Sequence, residues 1–122
     1  MPTLPIHSLG QRGEQLAIEY LKHRGYLILA TNWRCKNGEI DIVAQKADTL
    51  IFVEVRTRHA DNTESAFESI TLRKHSRMIA AAQAYIAEKA LDDMDWRVDM
   101  IGIAIPYRGA PIIDYAEDVL GW

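Results

Sequence analysis

The chain has 122 residues, 48% of them hydrophobic and 25% charged, with a formal net charge of −3. That is ordinary globular material for one small domain over 1–122, with a core over about 8–120, and it argues against strong nonspecific binding to DNA. No apolar run approaches the roughly 20 residues needed to span a bilayer; the N-terminal segment has neither region of a signal peptide, and a lone Cys35 excludes an intramolecular disulfide and fits a reducing cytoplasm.

Charge is unevenly spread. Residues 1–80 hold 11 Lys and Arg against 9 Asp and Glu, whereas residues 81–122 hold 3 against 8. A basic face with an acidic back is therefore compatible with a nucleic-acid partner in spite of the average.

In chain order, Ser8-Leu9-Gly10-Gln11 reads as a capping box that opens a helix, with Leu16, Ala17, Tyr20 and Leu21 as its apolar stripe. Gly25, after Lys22, His23 and Arg24, ends it. Tyr26 to Ala30 is predicted as a first strand. Two further strands follow, Glu39 to Gln45 and Leu50 to Thr57, joined by Lys46-Ala47-Asp48-Thr49. Residues 59–69 read as a mobile polar connection. A helix is predicted from Thr71 to Ala90, with Ile79, Ala82, Ile86 and Ala90 on one face. A strand over Trp96–Ile105 stops at Pro106, and Pro111–Tyr115 reads as an edge strand. Helices on both faces of a mixed sheet would bury these strands, which makes the expected fold a three-layer α/β/α domain.

The acidic hairpin carries the chemistry. Side chains alternate along a strand, so a turn at Ala47-Asp48 sets Asp41 opposite Glu54 and Glu39 opposite Arg56. Ile40, Ile42, Ile51, Val53 and Val55 then share the other face as core. Like charges directly opposite are destabilising, and a lone buried carboxylate costs several kcal/mol or more. Two remedies are open. Either Arg56 and Arg58 neutralise the acids in an ion network, or a hard cation such as Mg²⁺ or Mn²⁺ sits between them. Such an ion lowers the pKa of a bound water and neutralises charge on a phosphoryl oxygen, while adjacent arginines suit a phosphodiester backbone. Arg73, Lys74 and Arg77, at the start of the second helix, oppose its dipole and so want another partner, for which phosphate contact is the candidate. The four histidines lack any zinc-ligand spacing, and Trp33 reads as core or loop packing.

Gly38-Glu39-Ile40-Asp41, followed by Phe52-Val53-Glu54-Val55-Arg56-Thr57-Arg58, resembles the split acidic motif of the PD-(D/E)xK nuclease superfamily. Over roughly residues 8 to 120 the chain resembles the YraN family of small bacterial proteins, itself similar to archaeal Holliday-junction resolvases. Gly13-Glu14-Gln15-Leu16-Ala17 matches the opening helix, Arg73 to Ile86 the central helix and Arg97 to Ile103 the last core strand. The resemblance implies a restriction-endonuclease-like fold and a metal-dependent endonuclease acting on branched or structured DNA as a dimer. It also implies Asp41 and Glu54 as metal ligands, with Glu14 a direct or water-mediated third. Arg56 takes the place usually held by lysine and would stabilise charge, with Glu39 supporting it, and Arg58, Arg73, Lys74 and Arg77 would bind nucleic acid. Arginine stays protonated and cannot serve as a base. Its presence favours the alternative of a noncatalytic nucleic-acid-binding module on the same fold, and the acidic C-terminal part favours a protein-interaction domain.

Overall fold

The computed structural model describes residues 8–119. The segment read for a targeting signal and the last residue of the expected core lie outside them. The Ser8 hydroxyl accepts the N–H of Gln11 at 3.1 Å while the Gln11 side chain accepts the N–H of Ser8 at 2.9 Å, the reciprocal capping box expected. Helix α1 (Leu9–His23) follows, and the chain leaves it through Gly25 at φ +84°. Then come β1 (Leu27–Cys35), β2 (Gly38–Lys46), β3 (Thr49–Arg58), a short α2 (Glu64–Glu68), α3 (Leu72–Glu88), β4 (Asp95–Ala104) and β5 (Ile112–Ala116). Among the described residues, no helix is long and apolar enough to cross a membrane.

The five strands lie in sequence order across one mixed sheet, antiparallel except for the parallel pair β3–β4. Parallel neighbours need a crossover, and α2 and α3 supply it. Helix α1 packs Ala17 and Leu21 against Ile42, Ala44, Ile51, Val53, Ile101 and Ile103. On the opposite face, α3 packs Met78, Ala81, Ala82, Tyr85 and Ile86 against Ile40, Val43, Leu50, Phe52 and Val98. This is the three-layer α/β/α, restriction-endonuclease-like arrangement expected from the sequence.

Several expectations need correcting. Strand β1 runs five residues past Ala30, because it pairs along β2 as far as Cys35–Gly38. The polar connection 59–69 contains α2, seated by buried Ala66 and by Phe67 over Gly102. The buried stripe of α3 includes Met78, Ala81 and Tyr85, and Ala90 is exposed. Ile40 joins the α3 side rather than the face of Ile42. Its strand has left the β2–β3 ladder there, so strict alternation across the hairpin no longer applies. Trp33 packs edge-on to Tyr85 at 5.2 Å, a core role.

Close approach fixes where α1 crosses the sheet. A Cβ added to Gly13 would stand 1.7 Å from the Thr57 hydroxyl oxygen, so only glycine lets the helix reach β3. Alanine is favoured over glycine inside a helix by about 1 kcal/mol, but overpacking of this kind costs about 1–3 kcal/mol and wins. Gly13→Ala should therefore lower the denaturation midpoint. In a double-mutant cycle, Thr57→Ala should recover part of the loss; strict additivity would show that the contact does not set the helix position.

Candidate functional site

A two-residue turn at Ala47-Asp48, with Ala47 in the left-handed region at φ 52°, starts the β2–β3 hairpin. Pairing runs from Lys46–Thr49 to Ile42–Val53, the register read from the sequence. Beyond that pair the strands fork. The Asp41 carboxylate fills the gap and accepts the N–H of Val55 at 2.8 Å. Glu54 lies between Val53 and Val55, so its carboxyl comes within hydrogen-bonding reach of Asp41 at the mouth of the fork. The two acids thus meet through their side chains, but the direct cross-strand pairing expected for them is not formed, because the ladder ends one pair earlier.

Their environment disfavours two charges. Burial, above all, pushes the Glu54 carboxyl up to about 7, and the neighbouring Asp41 charge adds to this against the opposing pull of Arg56 and Lys74. Burial likewise raises Asp41, with the Val55 N–H and Arg56 pulling the other way. A shared proton or a bound cation would relieve the pair.

Arg56 reaches Glu54 at 2.5 Å, and its Nε is buried without a hydrogen-bond partner. An orphaned guanidinium N–H is costly to leave unmade. Gly102 is registered beside Arg56, and Phe67 lies over it so closely that an added Cβ would stand 2.6 Å from the ring. Helix α2 therefore walls one side of the arginine. The expected Glu39–Arg56 pair does not form. Strand β2 has parted from β3 by Glu39 and is registered with β1, where Glu39 meets Arg34 at 3.4 Å.

One cavity of about 800 Å³ collects Glu39, Asp41, Glu54, Arg56, Lys74 and Arg77. Helix α3 delivers the last two because it lies tight against the β1–β2 turn: a Cβ at Gly38 would stand 3.0 Å from the Arg77 carbonyl oxygen. Lys74 Nζ donates to the Ser69 carbonyl at 3.1 Å. Arg58 and Arg73 do not line this cavity; Arg58 donates to the Thr57 carbonyl at 2.8 Å.

Glu14 lies within electrostatic reach of Asp41 and Glu39. It lines an adjacent cavity of about 500 Å³, and the Asn32 side-chain amide donates to it at 2.6 Å. Burial raises its pKa, the Asn32 bond lowers it, and the charges of Asp41 and Glu39 raise it further. Asn32 escaped the sequence reading. Flanked by the pairs Thr31–Ile42 and Trp33–Ile40, it sits beside Asp41 in the sheet, in the left-handed region at φ 50°. Asparagine tolerates that conformation better than most residues, and this was the only local signal.

Among the described residues, no three of His, Cys, Asp and Glu are grouped so as to hold a metal ion. Glu14, expected as a direct or water-mediated third ligand, is bonded to Asn32, whose place in the sheet is beside Asp41. Two adjoining carboxyls, both raised by burial, still fit a hard divalent ion that keeps several waters. Asp41 and Glu54 would hold it, with Glu14 reaching it through water.

The model of the Uncharacterised protein family UPF0102 matches residues 13–103, a span that contains every acid of this region. A UPF0102 protein of Chloroflexus aurantiacus is 48% identical over 116 residues, covering 94% of this chain and 92% of the relative. One from Herpetosiphon aurantiacus is 41% identical over 118 residues, covering 92% and 93%. One from Clostridium botulinum is 41% identical over 98 residues, covering 80% of each.

Two outcomes follow from this geometry. Folding raises the Glu54 pKa, so between pH 4.5 and about 7 the folded protein holds more protons than the unfolded chain. Stability of the metal-free protein should therefore fall as pH rises through that window. Glu54→Gln should stabilise the metal-free protein above the window by on the order of 1–3 kcal/mol, with the gain fading toward the low end; urea melts across pH would reveal it. Separately, Asn32→Gly keeps the left-handed backbone and removes the amide. The Glu14 carboxyl, followed by ¹³C NMR, should then titrate at higher pH, whereas an unmoved titration would show that Asn32 does not govern it.

Proposed function

The chain belongs to the UPF0102 family, and for this member we propose a divalent-metal-dependent endonuclease that hydrolyses DNA phosphodiester bonds. The observation that carries the reading is the pair of half-buried, adjoining carboxyls at the β2–β3 fork, both raised by desolvation, beside an arginine whose Nε has no partner. A structural ion network would leave fewer such needs unmet. The resemblance of the acidic hairpin to the PD-(D/E)xK nucleases points the same way.

Asp41 and Glu54 would hold Mg²⁺ or Mn²⁺, which supplies Lewis acidity to a water and to a phosphoryl oxygen when bound. Arg56 then has two tasks. It neutralises Glu54 while the site is empty of cation, and its guanidinium, which lines the same cavity, would face a phosphate oxygen where charge develops in the transition state. Lys74 and Arg77 share the cavity and would hold the flanking backbone. Arg58 and Arg73, which do not line that cavity, would contact more distant backbone. Glu39 keeps Arg34 beside the cavity rather than acting on Arg56. A branched DNA substrate, a dimer and a cytoplasmic setting remain part of the proposal, the first two from the resolvase resemblance and the last from the single cysteine.

The second reading, a nucleic-acid-binding module without turnover, is favoured by the short Arg56–Glu54 contact, which satisfies one acid without metal. A protein-interaction role for the acidic C-terminal part has less support. Asp99 and Glu117 are engaged by Arg97, and Asp99 accepts the Asp118 N–H.

The decisive assay is cleavage of single-stranded, duplex, flap and four-way-junction DNA with Mg²⁺ or Mn²⁺, beside the Asp41→Asn/Glu54→Gln double mutant. Cutting should require metal and vanish in the mutant; equal cutting by the mutant would mark a contaminant and remove the basis of the proposal. DNA binding without cutting would establish the second reading. Arg56→Ala should lower the rate by about 10²-fold, the scale of losing one charge-stabilising donor, while Arg56→Lys should retain more activity.

A further inference from the structure

We propose that Tyr107, braced by His59, is a stacking subsite for an unpaired nucleobase, so that the preferred substrate has single-stranded character beside the cut. The proposal rests on the phosphodiester-cleaving reading above and specifies its substrate class.

Tyr107 is 87% exposed, more than any other large hydrophobic side chain among the described residues. It is nevertheless held in place. Its ring stacks on His59 with centroids 5.0 Å apart and planes at 17°, and the His59 Nδ1 lies 3.3 Å from the Ile105 carbonyl oxygen. The Ile105 N–H donates to the Arg58 carbonyl at 2.9 Å, tying this segment to the end of β3. Pro106 restricts the chain on one side, and Gly109, at φ +103°, turns it on the other. The result is a two-layer aromatic stack with one face open to solvent. A planar base would complete it, and stacking is the sequence-tolerant way of holding a single strand.

The stack lies just past the end of the strand that carries Glu54. Glu54, Arg56 and Arg58 alternate along β3 toward the end where His59 and Tyr107 lie. That is the carboxyl end of the parallel pair β3–β4, where open α/β sheets commonly receive ligands. Strand residues advance about 3.3 Å each, so His59 stands on the order of 16 Å beyond Glu54, the reach of roughly two or three nucleotides of extended strand. Arg58 and Arg108 are the chain neighbours of His59 and Tyr107 and supply charge suited to a phosphodiester backbone. A base inside a duplex is covered on both faces by its neighbours and offers no surface to Tyr107; an unpaired one does. With a net charge of −3, the protein gains little from nonspecific electrostatics, which leaves affinity to contacts of this kind.

The test uses the full chain in metal-free buffer with a single-stranded oligonucleotide carrying 2-aminopurine, whose fluorescence falls on stacking. Wild type should quench it, Tyr107→Phe should quench it as well, and Tyr107→Ala should bind about tenfold more weakly, as expected for one lost base stack. In parallel, with Mn²⁺, the ratio of forked to blunt-duplex cleavage should fall in Tyr107→Ala. Unchanged binding and an unchanged ratio in a wild type that cuts would overturn the subsite and leave the nuclease reading standing. Quenching that depends on Tyr107 in a protein that cuts nothing would uphold the subsite and overturn that reading. Absence of quenching by the wild type also overturns the subsite, and a protein partner for Tyr107 would then be the better account.

Discussion

The parting of β2 from β3 beyond the Ile42–Val53 pair governs the rest of the molecule's chemistry. A ladder that continued would have given the Val55 N–H a backbone carbonyl and set Asp41 and Glu54 directly face to face on a crowded surface. Because it stops, a backbone donor is left over and a carboxylate takes it. The same departure sends Glu39 to β1 and Arg34, moves Ile40 into the α3 core, and opens the space that Lys74 and Arg77 help to line. One interruption in sheet pairing thus shapes the whole charged site.

Acids on neighbouring strands show what separates a structural charge from a functional one. Asp99 is fully buried and lacks nothing: Arg97 Nε donates to both of its oxygens at 3.0 and 3.2 Å, the Tyr115 hydroxyl donates to it, and the Asp118 N–H closes the set. Tyr115 has its own pKa raised by burial and by this bond. Such a network tolerates no visitor, since every lone pair already has a donor. Asp41 and Glu54 have one backbone N–H and one guanidinium between them, and both are held above the ordinary carboxylate range. Incomplete compensation is what makes the second site available for an ion and a phosphate.

The sequence could be read this far for definite reasons. Period-two alternation around a short polar turn is strong enough to fix register, so the Asp41–Glu54 meeting was legible. The capping box at Ser8 is local chemistry, and local chemistry survives folding. What escaped depends on contacts far apart in sequence. Phe67 over Gly102 converts a polar stretch into the base of a helix, and no pattern within 59–69 announces it. Asn32 lies in β1, eighteen residues from Glu14, and only the folded sheet brings the amide to that carboxyl. Asp99 did leave a trace, an acid within an apolar run like those of the hairpin, but its satisfied surroundings could not be seen in the chain.

The strand order also sets a timetable. β1, β2 and β3 form a meander whose contacts are close in sequence, whereas β3 and β4 are joined only through α2 and α3. Loop-closure entropy makes the near contacts the faster ones. Asp41 and Glu54 can therefore meet as soon as the hairpin closes, while Lys74 and Arg77 must wait for α3 to dock. For that interval the nascent sheet carries a cluster of acids without its full complement of cations. The docking of α3 is then favoured by charge as well as by the apolar surface it covers, and the residues suited to phosphate also help to order the last steps of folding.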